Sequence, residues 1–374
     1  MTSIAIVAHH AVDMLNFRGD LIKALCAAGV RVVCLAPDYT DKESSQVRDL
    51  GAEPVSYSLQ RTGMNPLRDL ADALALARLL RRLRPDIVFV FSIKPVIYGS
   101  MAAWLARVPR RVAMIEGAGY AFTDTGQPIG WKRRVLRALV CGLYRVALSR
   151  VHRVVFLNED DRRDFESHRL ADPGRSVVLG GIGVDLDAWP VAPAVTEPVT
   201  FILVARLLRE KGIVQFADAA RQVLRQHPGA RFILLGRLDT NPGGLGQAEV
   251  ESWVREGILE WPGHVAVRPW LSQASVFVLP SFYREGVPRS TQEAMAMGRP
   301  VITTDSTGCR DTVDEGVNGY LVPVRDVDAL TRAMLRFVDE PASIAEMGAA
   351  SRRMAEERFD VRKVNQRLIN WLLG

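Results

Sequence analysis

Apolar runs rich in valine and isoleucine recur at residues 4–8, 30–36, 86–91 and 111–115. Short runs of this kind, without polar alternation, predict strands buried on both faces. Between them, residues 19–28, 66–83 and 95–106 read as helices, and Asn65 before Pro66 supplies an N-cap and first-turn pair. Such alternation predicts βαβ crossovers and a parallel sheet. A second series predicts strands at 199–204, 231–235, 265–267, 276–279 and 301–303, with helices between them that include 212–226. Residues 342–373 read as helical. Between the two series, residues 189–198 contain Pro190, Pro193 and Pro198, which suits a semi-rigid linker. The pattern predicts an α/β protein with two doubly wound domains, 1–188 and 199–355, and a final helical segment, 356–374, which is expected to pack back on the first.

With 374 residues, 48% of them hydrophobic and 24% charged, the composition is that of a globular protein and excludes wholesale disorder. No stretch reaches the roughly 18 uninterrupted apolar residues of a membrane span; residues 138–148 come closest, and Arg145 interrupts them. The first residues lack the basic start and small-residue cleavage site of a secretory signal. Cys26, Cys34, Cys141 and Cys309 have neither C-x-x-C nor zinc-ligand spacing. A cytoplasmic protein is the expectation.

Charge divides unevenly. Residues 1–190 hold 26 basic and 20 acidic side chains, whereas 191–374 hold 22 of each. Residues 125–158 carry seven basic side chains and no acidic one. Such a segment suits anionic lipid, nucleic acid or a phosphorylated substrate. From 131 to 150, Val135, Leu139, Leu143 and Val146 recur at helical spacing, with Lys132, Arg133, Arg134 and Arg137 among the basic positions. This is either a core helix with a solvated face or a basic amphipathic helix lying in a membrane interface.

Doubly wound sheets bind ligands at the carboxyl ends of their strands. The loop after the first strand has no G-x-G-x-x-G, which excludes the redox dinucleotide fingerprint. Gly19 stands at the expected helix start, where backbone N–H groups meet phosphate. In the second domain, Arg206 and Lys211 flank a strand end and a helix start, an arrangement able to hold a diphosphate. Only six of the 48 basic residues are lysine, so Lys211 is not explained by the arginine bias. Glu285 and Glu293 are eight residues apart, with Gly286 and Pro288 forcing a turn between them. Both carboxylates suit vicinal hydroxyls.

Arg206 with Lys211, the E-x7-E of Glu285 and Glu293, the run 293–302 and the segment 316–322 together resemble family 4 of the retaining glycosyltransferases. Lys94-Pro95 and residues 116–122 resemble a bacterial branch adding N-acetylhexosamines to undecaprenyl-diphosphate-linked sugars. The resemblance implies the GT-B fold, two Rossmann-like domains facing across a cleft. It implies that Arg206 and Lys211 hold the diphosphate of a UDP-sugar and that Glu285, Gly286 and Val287 meet the sugar. Glu293 would bind the ribose, Gly19 would approach the phosphate, and the base would lie near Arg268. Arg18, Lys94, Glu116 and Tyr120 become acceptor-side candidates. No metal or other cofactor is implied, and no D-x-D is present where a GT-A enzyme would hold one. Implied partners are a lipid-linked saccharide and the inner leaflet of the cytoplasmic membrane, not nucleic acid. A nucleotide-sugar 2-epimerase and a glycosyltransferase with a soluble acceptor are the alternatives.

Overall fold

A computed structural model of the chain describes residues 1–59, 66–117, 131–239, 241 and 243–374. It divides into two compact units. One comprises Met1–Gly117, Ile129–Ile182 and Arg362–Gly374, and the other contains Gly183–Val361.

The first unit is built on strands β1 (Ser3–Val7), β2 (Arg31–Ala36), β3 (Glu53–Ser56), β4 (Ile87–Phe91), β5 (Arg110–Ile115), β6 (Arg153–Phe156) and β7 (Ser176–Val178). They pair in parallel in the order β3-β2-β1-β4-β5-β6-β7. The chain winds outward from β1 in one direction and from β4 in the other, so the switch point lies between these two. Central strands are almost wholly apolar and buried, because crossover helices cover both faces. The helix Val361–Leu373 ends on this unit: Arg110 donates to the carbonyl of Gly374 at 2.7 Å and to that of Trp371 at 2.9 Å.

The second unit repeats the plan with β8 (Thr200–Val204), β9 (Arg231–Leu235), β10 (Glu260–Gly263), β11 (Val276–Leu279), β12 (Val301–Thr304) and β13 (Gly319–Val322). Their order is β10-β9-β8-β11-β12-β13, with the switch between β8 and β11. Phe201, Phe216 and Phe232 pack at the centre of its core, with Phe201 stacked on Phe232 at 5.2 Å between ring centroids.

Two expectations need correction. The helix expected to begin at Gly19 begins at Ala11 and runs to Ala27. Its buried stripe includes Met14, Arg18, Leu21, Ile22 and Leu25, and the buried arginine conceals the apolar period. Residues 265–267 form no strand; Glu260–Gly263 is the strand, despite its Pro262 and Gly263. It lies at the sheet edge, where proline forfeits the least pairing.

Candidate active site

In the second unit the chain leaves β8, forms a short turn at Arg209–Lys211 and enters the helix Ile213–Gln226. Gly212, at φ +75°, joins turn to helix, and a Cβ there would lie 2.0 Å from the Pro280 carbonyl oxygen. Glycine therefore lets the β8 loop press against the loop after β11. The N–H groups of Phe282 and Tyr283 donate to the Glu210 carbonyl at 2.9 and 3.0 Å and lock the two loops together. A third loop, after β12, joins them. Ser306 donates to the Ser281 carbonyl at 2.9 Å, and Thr304 donates to the same oxygen. Gly308, at φ +73°, sits where a Cβ would be 2.0 Å from the Gly286 carbonyl oxygen.

These loops bring Lys211 to Glu285. The ammonium is ion-paired with Glu285 Oε1, the Ser281 hydroxyl donates to the same oxygen at 3.0 Å, and the Tyr283 ring lies 5.3 Å from the ammonium. Side-chain exposure is 13% for Lys211 and 11% for Glu285, so the pair is shielded yet reachable. Arg206 is more open, at 45%, and pairs with Asp239 beyond β9 at 3.0 Å. Thus each cation already has its own carboxylate partner. Glu293 lies on the helix Arg289–Ala296, a turn beyond the loop that carries Glu285. It accepts from Arg289 at 2.9 Å, and burial pushes its carboxyl above the usual range against the opposing pull of Arg289. Val287 is buried, and its carbonyl accepts from Gln292 at 3.1 Å. Arg268 is not in this group: it opens a short helix and donates to the Ala188 carbonyl at 3.1 Å.

The first unit holds a second polar group at its strand ends. Arg18 is only 3% exposed; it pairs with Glu116 Oε1, reaches Met114 Sδ at 3.0 Å and lies 4.8 Å from the Phe91 ring. Ser92, held at φ +69°, donates to Glu116 Oε2 at 3.3 Å. Burial raises the Glu116 carboxyl above its ordinary range, and Arg18 works in the opposite direction. Lys94 pairs instead with Asp69, a buried residue of the helix Pro66–Leu83, at 2.9 Å. Gly19 lies in the third turn of its helix, where the backbone N–H is engaged in the helical ladder, so it offers no helix-start amide to a phosphate. Tyr120 lies outside the described residues.

The basic segment forms the helix Trp131–Leu148. It buries Tyr144, Ala147 and Leu148 and turns Trp131, Val135, Leu139 and Val146 outward. The helical period places these four on an arc of about 80°. Val135, Leu139 and Val146 therefore do not form the buried face. Arg134 is exposed, Arg137 is half-buried, and the side chains of Lys132 and Arg133 lie outside the described residues. Arg145 is engaged with the carbonyls of His168 and Arg169 at 3.0 and 3.1 Å.

Sequence reasoning missed Asp239, Ser281, Arg289, Asp69 and Ser92. Arg289 was detectable as the residue four positions before Glu293 on one helix. Asp69 and Asp239 carry no local signal, since their partners are distant along the chain.

Chemically, the second unit presents cations beside exchangeable carboxylates at the carboxyl ends of parallel strands. Such a layout suits an anionic ligand bearing hydroxyl groups. Comparison with known proteins agrees. Residues 16–181 match the family model described as glycosyl transferase 4-like domain, and residues 198–340 match that of glycosyl transferases group 1. The chain is 26% identical over 352 residues to the Campylobacter jejuni N,N'-diacetylbacillosaminyl-diphospho-undecaprenol alpha-1,3-N-acetylgalactosaminyltransferase, covering 90% of this chain and 89% of that protein. It is 28% identical over 292 residues to the Escherichia coli UDP-Gal:alpha-D-GlcNAc-diphosphoundecaprenol alpha-1,3-galactosyltransferase, covering 73% and 72% of the two chains. Its fold matches HepE from Anabaena, solved in complex with UDP and glucose, at a TM-score of 0.78 and 16% identity over 100% of this chain and 99% of that one. With both domain types present in sequence and the two-sheet architecture shared, the chain belongs to the glycosyltransferases of the GT-B fold, carrying a 4-like domain followed by a group 1 domain.

Proposed function

We propose that the protein transfers a sugar, an N-acetylhexosamine, from a UDP-sugar to a polyprenyl-diphosphate-linked saccharide in surface polysaccharide or glycan assembly, with retention of anomeric configuration. The observation that carries this reading is the Lys211–Glu285 pair at the switch point of the second unit. A donor diphosphate supplies Lys211 and Arg206 with a stronger anionic partner and frees Glu285 for the sugar hydroxyls. Gly286 and Val287 line the sugar and phosphate, and Glu293 accepts the ribose hydroxyls. As the bond between the anomeric carbon and the diphosphate oxygen breaks, negative charge grows on the leaving UDP. Lys211 and Arg206 stabilise that charge most in the transition state. The acceptor hydroxyl bonds to the anomeric carbon on the same face and gives its proton to a donor phosphate oxygen. That scheme calls on no enzyme nucleophile, metal or other cofactor.

Lys94, Glu116 and Tyr120 serve the acceptor, with Arg18 acting on it through Glu116, which it holds in place. The saccharide class rests on the two bacterial relatives, whose names specify undecaprenyl-diphosphate acceptors. No helix among the described residues is long and apolar enough to cross a membrane. We assign contact with the cytoplasmic leaflet to the helix Trp131–Leu148, supported by its outward apolar arc and its lack of acidic residues. The test is a screen of nucleotide sugars for UDP release with and without undecaprenyl-diphosphate-linked acceptors. Acceptor-dependent UDP release with a new glycosidic product is expected. A sugar altered without acceptor would replace transfer by epimerisation, and equal transfer to a free saccharide would remove the lipid from the proposal.

A further inference from the structure

We infer that the loop joining β1 to the helix Ala11–Ala27 is a binding site for a divalent transition-metal ion of the Zn²⁺ class, with His9, His10 and Asp13 as ligands and Asp38 behind His10. One ligand atom from each of His9, His10 and Asp13 lies within 4.8 Å of the others. His9 Nε2 and Asp13 Oδ2, one helical turn apart, are separated by 3.9 Å. Two ligand atoms on a single tetrahedral Zn²⁺ stand about 3.4 Å apart, so a side-chain adjustment of about 1 Å converges the set. The two imidazoles are neighbours, with ring centroids 4.4 Å apart.

Asp38 strengthens the assignment independently of the ligand spacing. Its Oδ2 lies 2.5 Å from His10 Nδ1, and its Oδ1 accepts the Ala11 N–H at 2.8 Å. The carboxylate is therefore fixed by the backbone, and it in turn holds His10 with a proton on Nδ1. That tautomer leaves the lone pair on Nε2, the carboxylate–histidine–metal arrangement that orients an imidazole ligand and raises its basicity. Asp38 follows β2, the neighbour of β1, so parallel pairing of the two strands brings it to this loop.

The electrostatic balance also favours a cation. The helix N-terminus opposes one, but Arg18 is itself paired with Glu116, and the two imidazoles lie against the carboxylates of Asp13 and Asp38. His9, His10 and Asp13 are all half-buried, which leaves room for water or a further ligand to complete the coordination shell. This site lies in the first unit and takes no part in the proposed donor chemistry of Lys211 and Glu285.

The test uses the full chain without a histidine tag, stripped with a chelator and dialysed. Co²⁺ is titrated while visible absorption reports the coordination, and Zn²⁺ is measured by competition with a chromophoric chelator. Saturable one-to-one binding with imidazole-type Co²⁺ bands is expected. His9→Ala and His10→Ala should abolish it, and Asp38→Asn should weaken it by about 10–100-fold at unchanged stoichiometry. Circular dichroism and UDP binding, measured on the same samples, verify that each variant is folded. Absence of saturable binding in the wild type, or equal binding by folded His9→Ala and His10→Ala, would overturn the site. Unchanged affinity in Asp38→Asn would overturn the part given to Asp38.

Discussion

The two units each bring an acid and a base together at the carboxyl ends of a parallel sheet, yet they do so differently. Lys211 and Glu285 come from neighbouring loops and keep 13% and 11% of their side-chain surface in solvent. Arg18 projects from within a helix, is 3% exposed, and has Met114 and Phe91 around it as well as Glu116. The first kind of pair can exchange partners when an anionic ligand arrives. The second is anchored by packing, so Arg18 acts chiefly by fixing Glu116. The same pairing of charges thus yields a replaceable contact in one unit and a positioning contact in the other, and the packing of Arg18 against Met114 and Phe91 makes the difference, since Glu116 itself keeps 26% of its side chain exposed.

The sharpest break of this comparison is Lys211→Ala. Loss of a charge that acts on the leaving group should lower kcat by about 10²–10³-fold, or about 2.7–4 kcal/mol, with a smaller loss of donor affinity. Steady-state kinetics beside UDP calorimetry check it, and near-full turnover would remove Lys211 from catalysis. Arg18→Ala should instead act on stability. It leaves a largely shielded carboxylate without its cation, which costs about 2–3 kcal/mol after allowance for the partial exposure of Glu116. Urea denaturation measures this, and Arg18→Met with Glu116→Gln should recover much of it.

Next in size is a division of labour between the glutamates. Glu285→Gln should reduce turnover while UDP binding stays close to wild type. Glu293→Ala should weaken UDP itself; equal losses of UDP affinity in both variants would contradict the assignment. The raised carboxyl of Glu293 also carries a stability sign. Its folded value lies above the unfolded one, so its contribution is full below the unfolded value and is lost as pH rises through the folded value. Glu293→Gln should therefore flatten the fall in stability across that interval, as read from melting temperatures at stepped pH.

Smaller again is the membrane term. Arg133, Arg134 and Arg137 to Glu, or Trp131 and Leu139 to Ser, should release the protein from anionic vesicles. Each cation near the surface contributes about 1 kcal/mol, and salt screens it. Unchanged, salt-insensitive sedimentation of both variants would return the apolar arc to an ordinary surface. The smallest expected effect is none: EDTA should leave transfer intact, and abolition restored by Mg²⁺ would overturn the metal-independent scheme.

Alternating apolar runs and helical periods made the two-sheet plan readable in the sequence, since strands buried on both faces read as near-continuous apolar runs. The loop sequence from Arg206 to Gly212 and the spacing of Glu285 and Glu293 likewise marked a candidate site, because their turns and helix start are local. Tertiary structure alone decided the rest. Lys211 meets Glu285 across 74 positions, Arg18 meets Glu116 across 98, and Asp38 meets His10 because β2 lies beside β1. It also turned Val135 and Leu139 outward, although their spacing equally suits a core face. A periodic pattern specifies that a helix has an apolar side; which side is covered depends on what the rest of the chain packs against it.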